Sequence, residues 1–347
     1  MLPEAAELLL FAAAALVLAV ICVPVALGRR RVLVQGGVGL VAGVAIAIVP
    51  TFDLVLLVLC ALGAIDASVG RREPLAVRLR APIVAVAFLT LALVFLRVEG
   101  PDVLGRFAAV GLVAGLAAAV GLLPYIHPVV DAEPSDRSSI VWTAFAGPLL
   151  GVVVVWRAQS LLPVDAGAAF AAMLIGVGVL NMAWGAVASW LTTTNTAAWR
   201  YSFLADWGLV LCGFGVTLID GRRAALLVLF ALMLGRLPLY LAAGAVDAQK
   251  STTERPLNFV VAAALAGAAP FAGFAARVLL LRGATQLFWP LALALALVML
   301  LWLPGSLRLG LSLGSPRGRQ AIVVVVVLAI NIAAGLYPLP LLSAGRL

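Results

Sequence analysis

Apolar runs of about twenty residues, each bounded by charges or turn residues, recur along nearly the whole chain. That length matches the roughly 20 residues a helix needs to cross a bilayer. The runs fall at about 8–27, 32–50, 53–69, 81–97, 105–123, 139–157, 166–190, 203–219, 224–244, 257–281, 287–304 and 320–336. They predict an all-α polytopic membrane protein with about twelve transmembrane helices. Glycine and alanine are frequent within the runs, as in GLVAG from Gly111 to Gly115, a composition that lets helix backbones approach closely. The longest loops, near 124–138 and 245–256, are too short for a soluble domain.

Two runs contain residues that a continuous helix does not favour. LAGAAPFAGFAAR, from Leu265 to Arg277, carries Pro270 and Gly273, and an interior proline costs a helix about 3 kcal/mol. The run at 224–244 places Arg236 near its middle and Pro238 two residues later. Both predict discontinuous helices, which membranes tolerate where other helices shield the freed backbone or where it lines a polar cavity. An ionisable group at membrane depth costs roughly 2.5–3.5 kcal/mol on insertion scales, so Asp206, Arg236 and Arg277 are the candidate intramembrane charges or ion path. Asp206 and Arg277 lie close enough to span ends that reaching for the headgroup region is an equal alternative. Arg236 has apolar sequence on both sides.

Composition closes the soluble alternatives. The chain is 65% hydrophobic and 11% charged, with mean hydropathy +1.19, more apolar surface than a soluble core absorbs. The net charge of +8 comes from arginines between the runs rather than from a basic, aromatic-interleaved face, which argues for anionic lipid and against nucleic acid. Arg29 to Arg31, then Arg71, Arg72, Arg78 and Arg80, then Arg308, Arg317 and Arg319 occupy the first, third and last loops. Cytoplasmic placement of these loops puts both termini on the other face of a bacterial inner membrane. Glu4 and Glu7 precede the first run, which reads as a retained span rather than a cleaved signal.

Cys22, Cys60 and Cys212 stand singly in apolar runs, as small hydrophobes rather than disulfide or metal partners. The loop LLPYIHPVVDAEPSDRSS holds His127, the only histidine, with Asp131, Glu133 and Asp136. One histidine among flexible carboxylates argues for a role in fixing the loop over a metal site. No phosphate loop, dinucleotide fingerprint or nucleophilic triad is visible. No cofactor is expected, and no enzymatic activity from this chain alone.

Four stretches together resemble the antiporter-like membrane subunits of complex I (NADH:quinone oxidoreductase), of multisubunit Na+/H+ antiporters and of membrane hydrogenases. LAGAAPFAGFAARVLLL resembles the family's L-A-G-x-P-P-x-x-G-F-x-x-K-x-x-L-L, with Arg277 at the lysine and Ala269 at the first proline. PYIHPVVDA, from Pro124 to Ala132, resembles P-F-H-x-W-L-P-D-A, with His127 one place late and Asp131 at the acid. YSFLADWG, from Tyr201 to Gly208, fits Y-S-S-I-x-x-x-G, and GRLPLYLAAG resembles F-K-A-L-L-F-L-x-A-G with Arg236 at the lysine. The four occur in the family's order.

The resemblance implies a single transmembrane domain over 1–347, with N-terminal helices at 1–52, an antiporter-like core at 53–336 and a tail at 337–347. Against the family's usual fourteen spans it implies two missing at the N-terminus, and no long lateral helix after the last span. It also implies partners: other membrane subunits of a redox-linked or antiporter complex. The family's proton path, by contrast, is incomplete here. The span expected to carry a central glutamate, LVLLVLCALGAI, has only Asp53 and Asp66 at its flanks, and expected lysines correspond to Ala119 and to a position near Leu149. Arginine keeps its proton where lysine can release it, so Arg236 and Arg277 set a field without relaying protons.

Three readings follow. The first is a subunit of an ion-translocating complex with a degenerate proton path and a structural or electrostatic role. The second is an autonomous secondary transporter holding an anionic solute at Arg236, and the third a proton conductor using Asp206.

Overall fold

The structure, a computed structural model, describes residues 75–98, 102–125, 159, 161–243, 255–316, 318–339 and 342. The runs at 8–27, 32–50, 53–69 and 139–157 lie outside these residues, as do His127 and Asp131. The described chain is helical: α1 Leu75–Arg97, α2 Asp102–Val120, α3 Val164–Leu191, α4 Asn195–Gly215, α5 Ile219–Ala231, α6 Leu237–Ala243, α7 Pro256–Ala266, α8 Ala272–Leu287, α9 Trp289–Ser312 and α10 Arg319–Leu336. A π-helical turn, Leu232–Arg236, links α5 to α6. Among the described residues, Val103–Val120, Val164–Leu191, Ile219–Tyr240 and Trp289–Ser312 are long and apolar enough to cross a membrane, and three shorter apolar helices accompany them. The chain is a multi-pass membrane protein.

Two compact units divide within α3, one ending at Val177 and the other beginning at Gly178. In the first, α1 and α2 pack along one another. The GLVAG stretch makes that contact close. A Cβ on Gly111 would sit 3.1 Å from the Ala92 methyl, and one on Gly115 would sit 2.7 Å from Leu89 Cγ. The start of α3 joins them, with Ala166 and Pro163 against Gly105. Pro124, exposed, lies in the turn that follows α2.

In the second unit, α4 is the central helix. It is buried without interruption from Ser202 to Gly215, as expected of a helix apolar on every side. It packs on α5 and α9, and on α3 through glycines: a Cβ on Gly185 would lie 2.6 Å from the Ala205 nitrogen and the Tyr201 oxygen. α5 packs on α8, α7 on α9, and α10 on α6 and α8. Leu293, Leu297, Leu300 and Leu301 of α9 stay exposed, as suits a helix whose solvent is lipid.

Three element ends differ from the run boundaries. α4 starts ahead of its predicted run, because Thr194 caps it by accepting from the Ala197 N–H at 3.3 Å; polar residues in that first turn hide it from a hydropathy scan. α9 continues past Pro304 to Ser312, carrying Arg308 to the C-terminus of α3. There its Nη1 donates to the carbonyls of Ser189, Trp190 (2.9 Å) and Thr192, a cationic cap on carbonyls that the helix itself leaves unpaired. The third difference is the run at 257–281, which is two helices, α7 and α8.

Candidate functional site

The break between α7 and α8 is built by glycine and proline and stabilised from outside. α7 ends in a left-handed Gly267 with φ 67°. The Gly267 N–H bonds back to Ala264 O at 3.1 Å, and the Ala268 N–H to Ala263 O at 2.9 Å, the pairing by which a glycine stop satisfies helix carbonyls. Pro270 follows, and α8 starts at Ala272. Asn331 of α10 reaches the break, its Oδ1 accepting from the Ala272 N–H at 3.2 Å. Gly335, one turn further along α10, lets its backbone lie directly on Pro270 and Phe271. The predicted break at Pro270 and Gly273 is thus packed against another helix.

This stop leaves the Leu265 carbonyl outside the helical ladder, and two side chains use it. Trp302 of α9 donates through Nε1 at 2.9 Å, and Arg236 donates through Nη2 at 3.3 Å. Arg236 is carried to that point by the second break. Pro238 lacks the N–H that would bond four residues back. The turn before it widens to a π-helix, in which the Leu237 N–H reaches Leu232 O. π-turns recur at functional positions.

Arg236 is 4% exposed and Asp206 7%. The two form a two-pronged ion pair, Nε donating to Oδ2 and Nη2 donating to Oδ1 at 3.0 Å. The guanidinium also lies over the Trp302 ring, with Cζ 4.9 Å from the centroid, a cation–π contact. Asp206 therefore points inward and pairs with the residue thirty positions later, rather than turning toward a span end. Arg277, in α8, is partly buried and folds back on the break: a Cβ on Gly267 would meet its Cζ at 2.6 Å.

A cavity of about 30 Å³ joins the predicted residues, lined by Asp206, Arg236, Arg277 and Gly273 with Asn331 and Gly267. One ordered water needs roughly 10–15 Å³, so there is room for about two or three. Pro238 and Pro270 shape the backbone around the cavity without lining it. Asn331 and Trp302 were not anticipated from the sequence. Asn331 had a legible signal, a lone amide inside VVVVVLAINIAAGL. Trp302 had none, since a tryptophan in an apolar run reads as packing. No group of three or more His, Cys, Asp and Glu side chains that could hold a metal occurs among the described residues.

No family model and no curated protein matches the sequence. Solved structures do match. A chain of respiratory complex I from Thermus thermophilus with bound NADH superposes with TM-score 0.75 at 15% identity, over 99% of this chain and 84% of that one. A chain of the same organism's complex I with bound aureothin gives TM-score 0.71 at 20% identity, over 98% and 86%. A chain of the Mrp complex from Dietzia sp. DQ12-45-1b gives TM-score 0.74 at 15% identity, over 98% and 82%. The chain has the antiporter-like subunit fold. The four motifs pointed to that fold; the glycine stop lies in LAGAAPFAGFAAR, and the π-turn runs into GRLPLYLAAG, ending at its Gly235 and Arg236. In this antiporter-like chain, arginines occupy the places within those motifs where the resemblance expects lysine.

Proposed function

We propose that the protein is a membrane subunit of a complex I-like or Mrp-like ion-translocating complex, with a degenerate proton path and an electrostatic or structural role. The carrying observation is the Asp206–Arg236 pair. A relay group has to lose and regain a proton, and a guanidinium does neither at working pH. Both oxygens of Asp206 are engaged by that guanidinium, which ties the carboxylate to a fixed charge. The pair joins α4 to the π-turn, and the Leu265 carbonyl and Trp302 extend the junction to α7 and α9. Its role is to hold four elements together and to fix the sign of the field inside the unit.

The reading of Asp206 as a proton conductor keeps one observation in its favour, since the carboxylate borders a space large enough for water. A carrier of organic anions fits less well, because ligand pockets are typically about 300–1,000 Å³ and this cavity is about a tenth of the lower figure. The partners are other membrane subunits. The twelve-span topology in a bacterial inner membrane, with both termini on the non-cytoplasmic face, completes the reading. Support for it comes from the described helices, which fall on eight of the predicted runs, and from the arginines clustered at 29–31, 71–80 and 308–319, of which Arg78, Arg80, Arg308 and Arg319 lie in helices rather than in loops.

Purification of the tagged protein from its native membrane in mild detergent, followed by mass spectrometry, tests the assignment. Stoichiometric recovery with other membrane subunits is expected; recovery alone, as monomer or homodimer, overturns it. Proton flux through the reconstituted complex then separates the roles. Asp206→Asn should leave flux per assembled complex unchanged, and loss of flux with assembly intact would establish the conductor reading instead.

A further inference from the structure

We propose that the cavity between Arg236 and Arg277 binds a small inorganic anion of halide size, chloride being the natural occupant. The inference rests on the second unit alone and holds whether or not the chain assembles with partners. Its first basis is a count of donors. Of the five guanidinium N–H groups of Arg236, the one on Nε and the two on Nη2 are taken by Asp206 and the Leu265 carbonyl. Nη1 is buried with no partner. Arg277 makes no hydrogen bond or ion pair among the described residues, and its guanidinium is folded onto Gly267 at the same cavity. Asn331 has committed its oxygen to the Ala272 N–H, which leaves its NH₂ group, packed against Gly235, as the remaining polar function. The amino end of α8 borders the cavity at Gly273 and contributes a further positive potential.

The side-chain acceptor nearby, Asp206, is already tied to Arg236. Asp206 gives both oxygens to Arg236, and the Leu265 carbonyl receives Trp302 and Arg236 together. The unmet polar group of the cavity wall is thus a donor, Arg236 Nη1. Its charged side chains are one carboxylate and two guanidiniums, so one positive charge is in excess. Buried charge is costly unless paired. Water would accept hydrogen bonds from Nη1 and Arg277 without supplying the missing negative charge; a halide supplies both. Size selects among anions. A cavity of about 30 Å³ has room for a halide and is small for an organic solute.

The test uses the full-length protein in detergent with sodium gluconate as the only salt, gluconate being too large for the cavity. Replacing gluconate by chloride or bromide at constant ionic strength should raise Tm in a saturable way, as a ligand selective for the folded state does. Arg277→Gln should abolish that response while melting in gluconate at or above the wild-type Tm, because it removes the uncompensated charge. Bromide-soaked wild-type crystals should show an anomalous peak in contact with both guanidiniums, a readout that stands even where the variant fails to fold. Equal Tm in gluconate, chloride and bromide, or bromide crystals with no anomalous peak between Arg236 and Arg277, would overturn the proposal and leave water as the occupant.

Discussion

Truncating one partner of the Asp206–Arg236 pair should be far more damaging than replacing both. In Asp206→Leu the guanidinium keeps only the Leu265 carbonyl and the Trp302 face, in a site 4% exposed. Breaking a buried pair in this way costs about 3–5 kcal/mol, because a buried charge is left uncompensated. A direct estimate agrees: two unit charges 4 Å apart at an effective dielectric constant of 20 interact by about 4 kcal/mol. Arg236→Met should cost less, because Arg277 borders the same cavity and keeps one guanidinium opposite Asp206. The double variant Asp206→Leu with Arg236→Met removes both members of the pair and leaves the net charge at the cavity as it is in the wild type, so it should fall within about 1 kcal/mol of wild type. The coupling energy should therefore be of the order of the single losses.

Cys212 supplies the assay. It is a cysteine at 0% exposure, so a thiol-reactive fluorophore reports global opening once Cys22 and Cys60 are replaced by alanine. Thermal melts of the four proteins in one detergent close the cycle. An Asp206→Leu variant within about 1 kcal/mol of wild type, or a double variant that loses the sum of the singles, would refute the claim that an isolated buried charge sets the cost.

Gly267→Ala places a side chain in a left-handed conformation worth about 1–2 kcal/mol and drives its Cβ into the Arg277 guanidinium; a lowered Tm with loss of the halide response is expected. Trp302→Phe keeps a ring over Arg236 but removes the donor to Leu265 O. Because Arg236 still serves that carbonyl, the loss should lie near the low end of about 0.5–1.5 kcal/mol, read from the same melts. Gly335→Val would press a Cβ onto the Phe271 carbonyl carbon and the Ala272 nitrogen, 2.5 and 2.7 Å away. Backbone cannot rotate aside, so overpacking of about 1–3 kcal/mol is expected, with faster hydrogen exchange at the start of α8.

Hydropathy alone determined that this is a multi-pass helical membrane protein, because a bilayer imposes one period and one length on every span. The sequence also marked both helix breaks, since Pro238, Pro270 and the glycines around the latter cannot continue an ordinary helix. It singled out Asp206, Arg236 and Arg277 because charge at membrane depth is rare and costly. What it left open was whether they met. Asp206 and Arg277 each had an equal alternative at the headgroups, and a local pattern cannot choose between them. The tertiary structure chose, by packing α4 beside the π-turn so that both Asp206 oxygens face Arg236.

Folding also created an acceptor that no side-chain inventory contains, the Leu265 carbonyl released at the glycine stop. Asn331 and Trp302 acquired their roles for the same reason: one satisfies a freed N–H and the other a freed carbonyl. Spans follow from transfer free energies summed along the chain, which are local. The site follows from backbone groups left unpaired at two breaks and from the distant side chains that pair with them, which only the packed helices bring within reach.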